Sequence, residues 1–217
     1  VERQAVPIRA ADFIQSNHLA GKMFNSNIFG GYLIWRFWPA QQVFTDGRTQ
    51  LYPELYQEFS NNSFRYWDGL MDKYQINYAV LNYPLIYQFN GDKFSGDKVY
   101  FNENPRWKLI YFDDTALVYV KNTGFNKEII AKYGFNYYNP IRPGGVVPEN
   151  IQNAIAELNR AVNNNFKSLL IFTELGSLYA TSGQYNEARR IWEQARRDYP
   201  EDKHLALNLH RLEHIGY

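Results

Sequence analysis

Ile76-Asn-Tyr-Ala-Val-Leu-Asn-Tyr83 is the stretch on which the fold turns. It is rich in aliphatic and aromatic residues and carries no charge, so it predicts a buried strand. Downstream, Trp107-Lys-Leu-Ile-Tyr-Phe112 and Ala116-Leu-Val-Tyr-Val120 flank Asp113-Asp114-Thr115, the pattern of an antiparallel hairpin. Upstream, residues 64–74 and 51–59 have helical spacing, with Asn61-Asn62-Ser63 as turn and cap. Further back come a short strand at residues 43–45, a helix at 31–37 stopped by Pro39, a strand at Lys22-Met-Phe-Asn25 and an amphipathic helix at 9–17. Helices alternating with strands and closing on a hairpin predict an α+β or α/β fold, a mixed-sheet α/β sandwich over residues 1–122.

Composition changes at residues 123–148. Gly124, Gly134, Pro140, Pro143, Gly144, Gly145 and Pro148 interrupt any period, and Phe135-Asn-Tyr-Tyr138 is aromatic without alternation. This segment reads as a connection, held down by its tyrosines. Residues 149–217 then read as all helical. Residues 169–202 fit one tetratricopeptide (TPR) unit of about 34 residues through Phe172, Leu175, Gly176, Tyr179, Ala188, Trp192, Ala195 and Pro200. Ala154, Leu158 and Ala161 fit the second helix of a preceding unit, and residues 204–214 fit a capping helix. One and a half units are fewer than a free-standing repeat stack needs, so the array is expected to lean on another part of the protein.

The 217 residues carry 23 basic and 22 acidic side chains. That balance argues against nucleic acid as a partner, which calls for concentrated basic charge. Without cysteine, disulfides, thiol catalysis and Cys-type zinc sites are excluded, while the compartment stays open. The longest apolar run, residues 30–39, is broken by Arg36 and falls short of the roughly 20 residues of a membrane span. No signal-peptide pattern is present, and a chain opening on Val1 is read as a piece of a longer protein. Aromatics at 18% suit either a ring-filled core or a surface for sugar, lipid headgroup or peptide.

Catalytic patterns are missing. No Gly-x-Ser-x-Gly elbow and no phosphate loop occur, and His18 is the only histidine before residue 200. His210 and His214 have the i, i+4 spacing of metal ligands but no obvious third partner, so a solvated helix face is preferred and no metal or cofactor is expected. Asp113 and Asp114, adjacent in the chain, point apart and suit a turn better than a carboxylate pair. Asp46-Gly47-Arg48 is more suggestive, because alternate residues in extended chain face one way and Gly47 allows close approach. Two readings stay open: an internal ion pair, or a polar pocket at the sheet edge lined with Asn25, Gly30, Gly31, Tyr32 and Tyr52. In the helical region, Tyr179, Arg189 and Arg190 fit either a groove for a peptide or protein partner or a solvated face.

Phe24-Asn25, the run Gly30-Gly-Tyr-Leu-Ile-Trp35 and Val43-Phe-Thr-Asp-Gly-Arg48 together resemble the extracytoplasmic part of multi-pass bacterial glycosyltransferases of the GT-C architecture. The layout is also similar, more loosely, to the start of the soluble domain of oligosaccharyltransferase catalytic subunits. Gly30-Gly31-Tyr32 stands here where those have a Trp-Trp-Asp triplet. The resemblance spans residues 7–122. It implies a domain that is not itself catalytic, since the transfer chemistry of that family uses acidic loops between membrane helices and a polyprenyl-phosphate-linked sugar. It further implies a place on the extracytoplasmic side of the cell membrane, with the membrane-embedded remainder of the parent chain as partner.

Overall fold

A computed structural model describes residues 6–48, 63–83 and 96–215. The chain divides into two compact units, Val1–Gly134 and Phe135–Tyr217. The expected helix at 51–59, the turn residues Asn61 and Asn62, and Tyr52 lie outside the described residues.

In the first unit, α1 (Ile8–Ser16), β1 (Lys22–Asn25), α2 (Gly30–Phe37), α3 (Phe64–Lys73), β2 (Ile76–Asn82), α4 (Gly96–Glu103), β3 (Trp107–Phe112), β4 (Ala116–Lys121) and α5 (Lys127–Tyr133) follow in order. The four strands form one mixed sheet, ordered β1-β2-β4-β3. The β1–β2 pair is parallel; β2–β4 and β3–β4 are antiparallel. A parallel pair needs a long crossover, and α2 and α3 lie within it. The uncharged β2 lies inside the sheet with Ile76, Tyr78, Ala79, Val80 and Leu81 buried.

Helices cover both faces of the sheet. On one face, Phe24 of β1 meets Trp67 of α3 and Phe101 of α4, and Phe101 meets Trp107 and Tyr119 at 4.7 and 5.9 Å between ring centres. On the other, Phe13 of α1 stacks on Tyr111 at 4.8 Å and meets Tyr133 of α5 edge-on. Strict alternation would put Trp107, Leu109 and Tyr111 on one face. An irregularity between Leu109 and Tyr111 shifts the register, and Tyr111 turns to the opposite layer. Asp113 closes the hairpin: its carboxylate accepts from the backbone N–H of Thr115 and Ala116, both at 2.8 Å, and from the Tyr111 hydroxyl at 2.7 Å. Burial pushes that carboxyl above its usual range despite those bonds.

Residues 43–45 are not a strand. Their backbone is held instead by the side chain of Asn25, so a β-prone Val-Phe pair ends as loop. Two helices went unread in the sequence, α4 and α5. The first buries Lys98, Tyr100 and Phe101 among polar neighbours, so no apolar stripe announces it.

In the second unit, α6 (Ile151–Asn163), α7 (Leu169–Thr181), α8 (Tyr185–Asp198) and α9 (Lys203–Ile215) follow one another with no strand among the described residues. Phe172, Leu175, Tyr179, Ala188, Trp192 and Ala195 are buried, as are Ala154, Leu158 and Ala161 of α6. Gly176 is flush against the Trp192 indole; a methyl group there would overlap the ring. Ser168 caps α7 by accepting from the Ile171 N–H. Glu157, buried on α6, accepts from three consecutive backbone N–H groups, Asn136 (2.7 Å), Tyr137 (2.9 Å) and Tyr138 (3.0 Å). The segment that opens this unit is therefore tied to α6, and the tie comes from a carboxylate rather than from tyrosines alone.

Candidate functional site

Asn25 ends β1 fully buried, and its amide is committed on both sides. Its oxygen accepts from the N–H of Phe44 (2.8 Å) and Thr45 (3.3 Å); its nitrogen donates to the carbonyls of Thr45 (2.7 Å) and Ser26 (3.0 Å). One side chain thus performs the pairing a neighbouring strand would supply to residues 44–45. Phe44 adds a ring contact with Phe24 at 5.1 Å. Gly30 is required beside them, because a methyl group there would overlap the Thr45 carbonyl and Asp46 Cα.

The clamp presents Asp46 and Arg48. Arg48 donates to Asp46 through its backbone N–H (2.9 Å), Nε (2.9 Å) and Nη2 (2.5 Å). These bonds from Arg48 hold the Asp46 carboxyl below the usual carboxylate range. A carboxylate so occupied is a weak proton acceptor for a substrate. The arginine side chain is 67% exposed.

Gly31 faces open space on the first turn of α2. Trp35, at i+4 from it, shares that outward face and is 72% exposed, and Trp38, the extended residue that ends the helix, is 66% exposed. Ile28, just before the helix, is also exposed. Tyr32 is half-buried with its ring 5.6 Å from Trp35, and burial raises its hydroxyl pKa. Arg36 pairs with Asp12 of α1 at 2.5 Å, while its Nε is buried with no acceptor.

Two clefts flank the loop that follows α2. The larger, about 1000 Å³, lies between that loop and the α1–β1 connection and is lined by His18, Lys22, Arg36, Trp38, Gln41 and Tyr74 among others. The smaller, about 690 Å³, is bounded by Ile34, Trp38, Phe44, Asp46 and Arg48. Gln41 fixes the loop between them: it donates to the Leu19 carbonyl (2.9 Å) and accepts from the Tyr78 hydroxyl (2.6 Å). The larger cleft has no acidic residue among its described lining. Sequence reasoning missed Arg36, Trp38 and Gln41 because nothing in their spacing marks a cleft.

Of the residues singled out in this unit, Asn25, Gly30, Asp46 and Arg48 come together, whereas Gly31 and Tyr32 lie on α2 as described. In the second unit, the Tyr179 hydroxyl accepts from Asn159 at 2.6 Å, Arg190 pairs with Glu187 at 2.9 Å, and Arg189 is exposed. Among the described residues no group of three or more His, Asp or Glu side chains is placed to hold a metal, and no helix is long and apolar enough to cross a membrane. No family model, curated protein or solved structure matches the chain.

Proposed function

We propose that the Val1–Gly134 unit is a non-catalytic, extracytoplasmic domain of a multi-pass membrane glycosyltransferase-like protein. In this reading the outward face of α2 meets the membrane-embedded remainder of the parent. The loop carrying Asp46 and Arg48 forms one wall of the acceptor side of its site. The observation that carries the proposal is the exposure of Trp35, on the very helix that the glycine-aromatic motif builds, and of Trp38, the residue that ends it. Two large exposed indoles, one on the helix and one at its end, are costly to leave in water and suit a partner surface or a membrane–water boundary. The engagement of Asp46 by Arg48 supports a scaffold rather than an acid–base role.

The test is the coding sequence upstream of Val1. Several hydrophobic spans, with acidic residues in the loops joining them, are expected; their absence would sink the proposal.

A second reading rests on the helical unit. The close approach of α7 and α8 at Gly176 and Trp192 supports a TPR-like pair. Its groove, with Tyr179, Arg189 and Arg190, would take a peptide or protein partner. Arg189→Glu with Arg190→Glu should abolish capture of such a partner while leaving any sugar-transfer activity of the parent intact.

A further inference from the structure

The last helix carries two histidines whose ring nitrogens converge. Nε2 of His214 lies 3.3 Å from Nε2 of His210, with the rings perpendicular and their centres 4.6 Å apart. Zinc binds imidazole nitrogen at about 2.0–2.1 Å in tetrahedral geometry, and two such bonds span about 3.3–3.4 Å. The separation of the two Nε2 atoms therefore matches the edge of a metal tetrahedron. A third group lies behind them: a carboxylate oxygen of Glu213 is 3.4 Å from Nδ1 of His210. A carboxylate there accepts the Nδ1 proton and leaves the Nε2 lone pair facing His214, as outer-shell carboxylates do at metal-bound histidines.

We infer that His210 and His214 form a two-histidine chelate for a borderline divalent transition cation such as Zn²⁺ or Ni²⁺. Glu213 acts as a positioning residue. Both rings stand on exposed positions of one helix, so the cation enters from solvent, and water or a second copy of the pair completes its coordination. Imidazole ligands select this class over Mg²⁺ and Ca²⁺, which demand oxygen. Bound across one helical turn, the ion staples α9, and because it prefers the folded arrangement it stabilises the chain.

The full chain is titrated with Zn²⁺ and, separately, with Mg²⁺, following histidine ring signals by NMR and the thermal unfolding midpoint. The signals of His210 and His214 should move together and saturate at one equivalent of Zn²⁺, or at half an equivalent if two copies share the ion. His18 should stay unmoved, the midpoint should rise, and Mg²⁺ should do nothing. Glu213→Gln should weaken Zn²⁺ binding by about tenfold, the low end for loss of an outer-shell carboxylate. His210→Gln or His214→Gln should weaken it further and remove the rise in midpoint. The substituted positions are exposed, so the variants retain the fold. Shifts spread evenly over all four histidines, no saturation, or equal affinity in the histidine variants would overturn the site.

Discussion

Asn25 and Trp35 belong to the same motif and are used in opposite ways. Asn25 has no exposed surface and four hydrogen bonds from its side chain; Trp35 is 72% exposed on the outer face of α2. Asn25, Gly30 and residues 44–45 set the shape of the unit, whereas Trp35, Trp38 and Arg48 are turned outward. A motif can therefore look like a site in sequence while half of it is scaffold. The folding cost of a substitution separates the two halves.

The largest effect is expected at the clamp. Asn25→Ala removes the partners of Phe44, Thr45 and Ser26 and leaves their buried or part-buried backbone groups unsatisfied, costing about 3 kcal/mol. Urea unfolding measures it; a loss below about 1 kcal/mol would mean the loop holds without its clamp.

Glu157→Gln examines the matching device in the second unit. It replaces one accepting oxygen by an amide that faces N–H donors, and should cost about 2 kcal/mol, read by the unfolding midpoint. A neutral result would show that the opening segment of that unit is secured by its rings instead.

A smaller effect is expected at Asp72. The hydrogen bond from Arg106, aided by Lys121, holds its carboxyl below the usual range. The folded value lies below the unfolded one, so the stabilisation is complete above about pH 4 and is lost as pH falls further. Asp72→Asn should cost a small amount of stability at neutral pH, small because half of this side chain is exposed, and converge with the unsubstituted chain at the acid end, so that the acid side of the profile flattens. Thermal melts between pH 2 and 7 distinguish this from a uniform loss.

The smallest effect belongs to the outward face. Trp35→Ser with Trp38→Ser should change unfolding free energy by less than about 0.5 kcal/mol per site. A large loss would make these rings core residues and erase the contrast with Asn25.

The sheet was legible because its strands declare themselves: β2 by its uncharged run, β3 and β4 by the intervening Asp-Asp-Thr turn. The α/β character, the two N-terminal helices and the helical C-terminal region follow from the same periodicities. Residues 43–45 misled because Val and Phe favour strands locally, whereas the decisive partner is a side chain, Asn25, that no pairing rule anticipates. The register shift before Tyr111 is likewise a tertiary event, set by Phe13 and Tyr133 on the far layer. Lys98 hid α4, since a buried lysine beside Asp97 reads as surface. At the candidate site, Asn25, Gly30, Asp46 and Arg48 were visible as a motif. The clefts were not, because Gln41 and Trp38 acquire meaning only where the chain folds back on α1 and β2.

Thiol labelling in the proposed parent protein tests the central claim most directly, since the 217 residues contain no cysteine of their own. Trp35→Cys is compared with Phe125→Cys, a position 77% exposed on the same unit and remote from α2 in sequence. If α2 docks on the remainder of the parent, position 35 reacts at least about tenfold more slowly there than in the isolated 217-residue chain, a protection equivalent to about 1.4 kcal/mol of docking. Position 125 should react equally in both. Equal rates at position 35 in the two settings would contradict the account.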